Sequence, residues 1–189
     1  MRATLRRLLS LFTVLAVVAS PLVSSATAAE KLKALIVDGQ NNHQWQKTTP
    51  ILKKILEDSG RFTVDVATSP PKGQDTAGFK PDFAKYDVVV SNYNGDPWPD
   101  ETQKAFEEYV KNGGGVSIVH AANNAFPDWE AYNAMVGLLW RRPDFGPRVT
   151  LNDQGEVVVA KPGEGPGAGH GPQHEYLVVA RNDKKPTTD

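Results

Sequence analysis

The stretch Asn112–Phe126, NGGGVSIVHAANNAF, decides the fold. Three glycines lead into a short apolar run, Val116–Val119, which stops at His120 and continues in small and amide residues. A buried parallel strand that enters a tight strand-to-helix turn has this form, and such a turn displays one side chain at the carboxyl end of the sheet. Nucleophile turns of this shape carry Ser or Cys at the displayed position. Here the residue is His120, and the chain has no Cys. The shape of a nucleophile turn is kept without its nucleophile.

Outward from this turn, strand and helix patterns alternate. Leu32–Val37 (LKALIV) is a continuous apolar run ending in Asp38-Gly39, the pattern of a buried parallel strand. After the loop GQNNHQW, a helix is expected from Thr48-Thr49-Pro50, with a Thr cap before Pro and an apolar stripe of Ile51, Leu52, Ile55 and Leu56, ending at Ser59-Gly60. Phe62–Val66 alternates as a peripheral strand does, and Ser69–Lys80 is a Pro- and Gly-containing loop. Tyr86–Val90 is a third strand. Pro99-Asp100-Glu101 opens a second helix with acids suited to its dipole and Ala105, Phe106, Tyr109 and Val110 on its buried face. A third helix is expected over Asp128–Leu139, with Trp129, Tyr132, Met135 and Val136 on one side.

Beyond Trp140 the character changes. Pro147–Leu151 and Val157–Ala160 read as a small β-hairpin insertion, Lys161–Gln173 as a loop with five Gly and three Pro, and Tyr176–Ala180 as a last apolar run. The order implies an α/β fold, a flavodoxin-like three-layer sandwich around a mainly parallel sheet. The polar run Arg181–Asp189 closes nothing, so the domain, 30–189, is expected to be C-terminally truncated.

Residues 1–29 are read as a signal peptide. Arg2, Arg6 and Arg7 precede the apolar Leu8–Val18, and Ala26-Thr27-Ala28 provides an A-x-A-like cleavage site. Export to the periplasm or the exterior is expected, without a stable membrane anchor, because the apolar stretch falls short of the ~20 residues of a spanning helix. Removing this leader leaves 18 basic against 22 acidic residues, a mildly acidic body with no footprint for nucleic acid. Without cysteine there are no disulfides and no thiolate chemistry.

In a parallel sheet the loops after the strands share one edge. Asp38, Asn41, Asn42, His43 and Trp45 follow the first strand; Asn92, Asn94, Asp96 and Trp98 follow the third; His120, Asn123 and Asn124 follow the fourth. The Gly-rich segment brings His170 and His174 within reach. All four histidines fall in such loops. His120, His43 and Glu175 are the candidate catalytic groups. Asn42, Asn94, Asp96, Trp98, Asn123 and Asn124 are candidates for binding a polyol. His43, His120, His170 and His174 are candidate ligands of a divalent metal such as Zn²⁺, whose bound water would have a pKa of about 7.

Asp38, Asp96 or Glu175 would orient the imidazoles. Each residue also has a plainer reading: His43 as a solvated loop histidine, His120 as a backbone hydrogen-bond partner, Trp98 as packing on the adjacent helix, and the asparagines as turn formers. His170 and His174 stand four apart, but Gly171 and Pro172 argue against the helix that would make that spacing meaningful.

The segments KALIVDGQNNHQWQKTTPILKKIL (33–56), YDVVVSNYNG (86–95), GGGVSIVHAANNAFPDW (113–129) and GHGPQHEY (169–176) together resemble the ThuA-like family, named for trehalose utilisation. The resemblance runs from about Lys31 to the end of the chain. It implies a class I glutamine amidotransferase-like fold and a role in sugar metabolism. It also implies that His120 occupies the turn where amidotransferases place their cysteine, and that His43, His170 and His174 stand in the family's His-bearing motifs. Glutaminase chemistry through a thioester is excluded for this chain.

Two functions follow. One is an exported enzyme acting on a sugar or oxidised sugar, with a metal or by imidazole acid/base chemistry. The other is a non-catalytic carbohydrate-binding module. A flavin or phosphate receiver is disfavoured by export and by the lack of a Ser/Thr-rich loop after the first strand. A small-molecule carbohydrate is the expected partner, and an unpaired sheet edge would favour a homo-oligomer.

Overall fold

The computed structural model of the chain describes residues 30–178. The expected leader (1–29), the end of the Tyr176–Ala180 run and the polar tail lie outside the described residues. Four parallel strands form the sheet: β1 Leu32–Asp38, β2 Phe62–Thr68, β3 Val88–Ser91 and β4 Gly115–Ile118, in the order β2-β1-β3-β4. β1 pairs with β2 from Leu32↔Phe62 to Asp38↔Thr68, and with β3 from Ala34↔Val88 to Val37↔Ser91. β3 pairs with β4 from Val88↔Gly115 to Ser91↔Ile118. This is the flavodoxin-like order, whose direction reverses between β1 and β3.

Three helices cover the sheet, α1 Trp45–Asp58, α2 Asp100–Lys111 and α3 Glu130–Val136. The alternation of side chains along β1 divides the core in two. Ala34 and Ile36 pack with Val64 and Val90, under Leu52 and Leu56 of α1. Leu35 and Val37 face the other way with Val89, into a cluster containing Phe83, Phe106, Trp129 and Tyr132. The expected three-layer α/β architecture is therefore present. So is the hairpin, as antiparallel β5 Arg148–Leu151 and β6 Val157–Ala160.

Local boundaries differ where tertiary contacts outweigh propensity. α1 begins at Trp45, ahead of the expected Thr48–Pro50 start, and Pro50 lies inside it. No side chain caps this helix; the Thr48 and Thr49 hydroxyls instead accept hydrogen bonds from Asn92 Nδ2, both at 3.0 Å. The apolar stripe of α1 is narrower than expected, since Ile51 and Ile55 are exposed.

On α2, Ala105 is exposed and Thr102 is buried, with its hydroxyl donating to the Phe79 carbonyl at 2.6 Å. α3 is shorter than expected at both ends. Pro127 precedes it, Trp129 is its N-cap, and Gly137 at φ 74° closes it. Among the described residues no helix is long and apolar enough to cross a membrane.

Burial governs the tyrosines. Tyr93 and Tyr132 are almost fully enclosed, and desolvation pushes both phenols up to about 12. The folded state thus holds these protons more tightly than the unfolded chain, whose phenols titrate near 10. This contribution to stability is complete below pH 10 and is lost as pH rises through about 12. In an alkaline titration followed by phenolate absorbance and circular dichroism, Tyr93 and Tyr132 are expected to ionise together with unfolding.

Candidate functional site

The edge where β1, β3 and β4 end is built largely from side chains that hold loops to one another. Gly39 leaves β1 at φ 112°, with its α-carbon so close to Ser69 that a Cβ would stand 2.5 Å from the Ser69 backbone nitrogen. Asp38 is buried and accepts the Thr68 hydroxyl at 2.7 Å. Gln40 donates from Nε2 to the Pro70 carbonyl and accepts the Asp96 N–H, at 2.8 and 2.9 Å. Asn41 Nδ2 donates to the Asn92 carbonyl at 3.1 Å, while Asn41 Oδ1 accepts the His43 N–H at 2.9 Å. Buried Asn92 completes the frame through Thr48 and Thr49. The Asn94 amide donates to Asn42 Oδ1 at 2.8 Å, and Asp96 accepts the Gly73 N–H at 2.6 Å.

These bonds revise several expected roles. Asp38 and Asp96 spend their carboxylates on loop contacts rather than on an imidazole. Asn42 and Asn94 pair with each other at the rim. Trp98 is 2% exposed, within an aromatic cluster that includes Phe126 at 4.9 Å and Tyr93 at 5.6 Å, so its ring offers no face to a sugar. The packing reading of Trp98 is the one the structure shows.

The turn after β4 also differs from the expected nucleophile turn. The Ala122 N–H bonds to the Val119 carbonyl, and the left-handed residue is Ala121, at φ 71°. A positive φ at the third residue is the mark of a type II turn and normally falls to Gly or Asn. The apex is thus the fully buried Ala121, with exposed His120 just before it. A 3₁₀ turn, Ala122–Asn124, follows in place of a continuous helix. Two partners fasten it. The Tyr132 hydroxyl donates to the Ala122 carbonyl at 2.8 Å, and the Arg141 guanidinium donates to the carbonyls of Asn123 and Ala125 at 3.0 and 2.7 Å.

Held this way, His120 meets His43. Their ring centroids are 5.2 Å apart, with the planes inclined at 50°. Trp140 lies 6.3 Å from His120 on one side and 6.1 Å from His170 on the other, so three of the four histidines share one row with an indole. His174 is apart from this row. Its Nδ1 is 2.9 Å from the Pro172 carbonyl and its ring is against Tyr176. Glu175 is exposed in the same segment, and among the described residues it makes no hydrogen bond to an imidazole.

Among the described residues no group of three or more His, Asp or Glu side chains is placed to hold a metal ion. Asn123 and Asn124 keep buried Oδ1 atoms without a hydrogen-bond partner. Trp140 was not singled out in the sequence; the available signal was a lone Trp before Arg141-Arg142, just after an amphipathic helix. Beside this row opens a cavity of about 710 Å³, lined by Asn124, Asp128, Trp140, Arg141, Arg142 and Phe145 among others.

Comparison with known proteins bears on this geometry. The family model for ThuA, described as trehalose utilisation, matches residues 33–182. A crystal structure of a ThuA-like protein from Parabacteroides merdae is 47% identical and superposes with a TM-score of 0.78. The match covers 84% of this chain and 57% of that one, so the chain spans little more than half the relative's length. A second ThuA-like structure, from Bacteroides uniformis, is 22% identical with a TM-score of 0.44, over 72% of this chain and 62% of that one. No curated protein matches.

The loop frame makes one energetic demand testable. Asn92→Ala removes the donor shared by Thr48 and Thr49 and leaves a small buried void. It is expected to lower unfolding free energy by about 1–3 kcal/mol in urea titration. The β1 loop carrying His43 should lose amide-exchange protection at the same time.

Proposed function

The chain belongs to the ThuA family, which carries a role in trehalose utilisation and carbohydrate metabolism, and from that premise we propose that it acts on a sugar or oxidised sugar derivative at the His43–His120 cleft. The observation that carries this reading is the meeting of two imidazoles from separate loops at the carboxyl edge of the sheet, 5.2 Å apart. That edge is where open α/β sheets receive ligands. Imidazole is the side chain best suited to exchange protons near neutrality. One ring takes a proton from a sugar hydroxyl or from a carbon beside a carbonyl, and its neighbour returns one to the adjacent oxygen. Trp140 gives a flat apolar wall for the sugar's carbon face, the part first assigned to Trp98.

Two imidazoles are half of a tetrahedral zinc set. The second reading, a carbohydrate-binding module, draws on the methyl group at the apex of the turn, where a covalent nucleophile would stand.

With a panel of neutral, acidic and oxidised sugars, His120→Ala and His43→Ala are each expected to lower kcat/KM by about 10²–10⁴ while leaving the fold intact. Ligand-induced stabilisation of the wild type with no turnover of any sugar would replace the enzyme by the binding module. Elemental analysis runs beside this assay. A stoichiometric metal lost in His120→Ala would replace metal-free acid/base catalysis with a metal-assisted reaction.

Export through residues 1–29 belongs to the same proposal. Expression with the leader in a bacterial host should release a product beginning after Ala28 or Ala29, read by N-terminal sequencing. An intact N-terminus in the cell interior would remove export from the reading.

A further inference from the structure

The cavity beside the imidazole row has a character of its own. Two guanidinium groups, Arg141 and Arg142, line it against one carboxylate, Asp128. That balance is opposite to the acidic body of the chain outside its leader. Arg142 is exposed, and its ion pair with Asp144 is long, at 3.5 Å, so a ligand can exchange for it at little cost.

Arg141 is the more informative of the two. Its terminal nitrogens are occupied by the carbonyls of Asn123, Ala125 and Trp140 and by Asn133 Oδ1. All of these acceptors are neutral. Among the described residues no carboxylate is in ion-pair contact with it. Burial lowers its pKa, and the charge of Asp128 across the cavity only partly offsets that desolvation. Its Nε is buried without a hydrogen-bond partner, as is Oδ1 of Asn124 in the same wall. The protein thus maintains a half-buried positive charge with orphaned polar atoms beside an open cavity.

The cavity also carries two aromatic rings. Trp140 and Phe145 flank it, with the Arg141 guanidinium carbon 5.6 Å from the Phe145 ring centroid. Trp140 belongs to the cavity and to the row containing His120. The Trp140 indole is thus shared between the cavity and the imidazole row, 6.3 Å from the His120 ring.

Resting on the sugar reading above and narrowing its substrate class, we infer that this cavity takes the anionic group of an acidic sugar, a carboxylate or a phosphate, and that Arg141 and Arg142 make the protein prefer such sugars over neutral ones. Arg141 also fastens the turn that carries His120, so it positions that turn while it attracts the ligand. Arg142 contributes charge alone.

The test is equilibrium binding of glucuronate, glucose 6-phosphate and glucose to the full chain, by calorimetry, at low salt and at about 0.5 M salt. At least one acidic sugar is expected to bind about tenfold or more tightly than glucose, and the advantage should shrink in salt. Whichever of glucuronate and glucose 6-phosphate shows the advantage identifies the anionic group. Arg142→Gln should lose most of the advantage while leaving glucose affinity within about twofold, and its exposed position keeps the fold out of question. Equal affinities for glucose and both acidic sugars would overturn this inference and leave the sugar reading standing. Binding of none of the three would overturn both. A salt-sensitive advantage unchanged in Arg142→Gln and also in Arg141→Lys would place the anion elsewhere and overturn the assignment.

Discussion

Trp98 is the ring on which the rest of this structure leans. It sits between two prolines in the loop after β3 and packs against Phe79, Phe83, Phe106, Phe126 and Trp129. These residues come from the loop before β3, from α2, and from the segment between β4 and α3. One side chain thus ties the exits of two strands to the helical layer. Its Nε1 is buried without a partner, a penalty of about 1–3 kcal/mol that the ring contacts must exceed.

The site is the polar counterpart of that cluster. Parallel strands in the order β2-β1-β3-β4 deliver their outgoing loops to one edge, and the reversal of order between β1 and β3 opens a crevice there. What keeps the crevice in shape is a set of amide bonds. Asn92 reaches α1, Asn41 reaches the end of β3, and Gln40 bridges the loops after β2 and β3. These groups are satisfied by one another, which is why so few of the asparagines remain available to a ligand. The imidazoles of His43 and His120 are the groups left over at the rim, and Arg141 secures the turn that presents one of them.

The chemistry follows from what stands at the apex of that turn. Ala121 takes the left-handed conformation, at a cost of about 1–2 kcal/mol for a residue with a Cβ. The strain is held by Tyr132 and Arg141 bonding the carbonyls just beyond. A fold that elsewhere supports a covalent nucleophile here presents a buried methyl group and, one residue earlier, an exposed imidazole.

The sequence by itself determined the layers and the direction of the sheet. Continuous apolar runs such as Leu32–Val37 have to be buried on both faces, and strands alternating with helices can only be joined in parallel. It also determined which edge carries His43 and His120 and that no thiol stands among these 189 residues, because both are matters of order and composition. The tertiary structure decided which side chains stay exposed at that edge. Trp98 is the ring the sequence offers as an aromatic wall, and Trp140 passes unremarked there. Burial among distant rings took the first into the core, and the end of α3 brought the second to His120. Thr48 and Thr49 read as helix caps until Asn92, more than forty residues away, claims their hydroxyls. His120 reads as the apex of its turn, yet the positive φ falls one residue later, since backbone angles in a turn answer to hydrogen bonds from Tyr132 and Arg141. Local pattern encodes which segments are buried; pairings between residues far apart in the chain settle what each polar group is bonded to, and only the folded chain contains them.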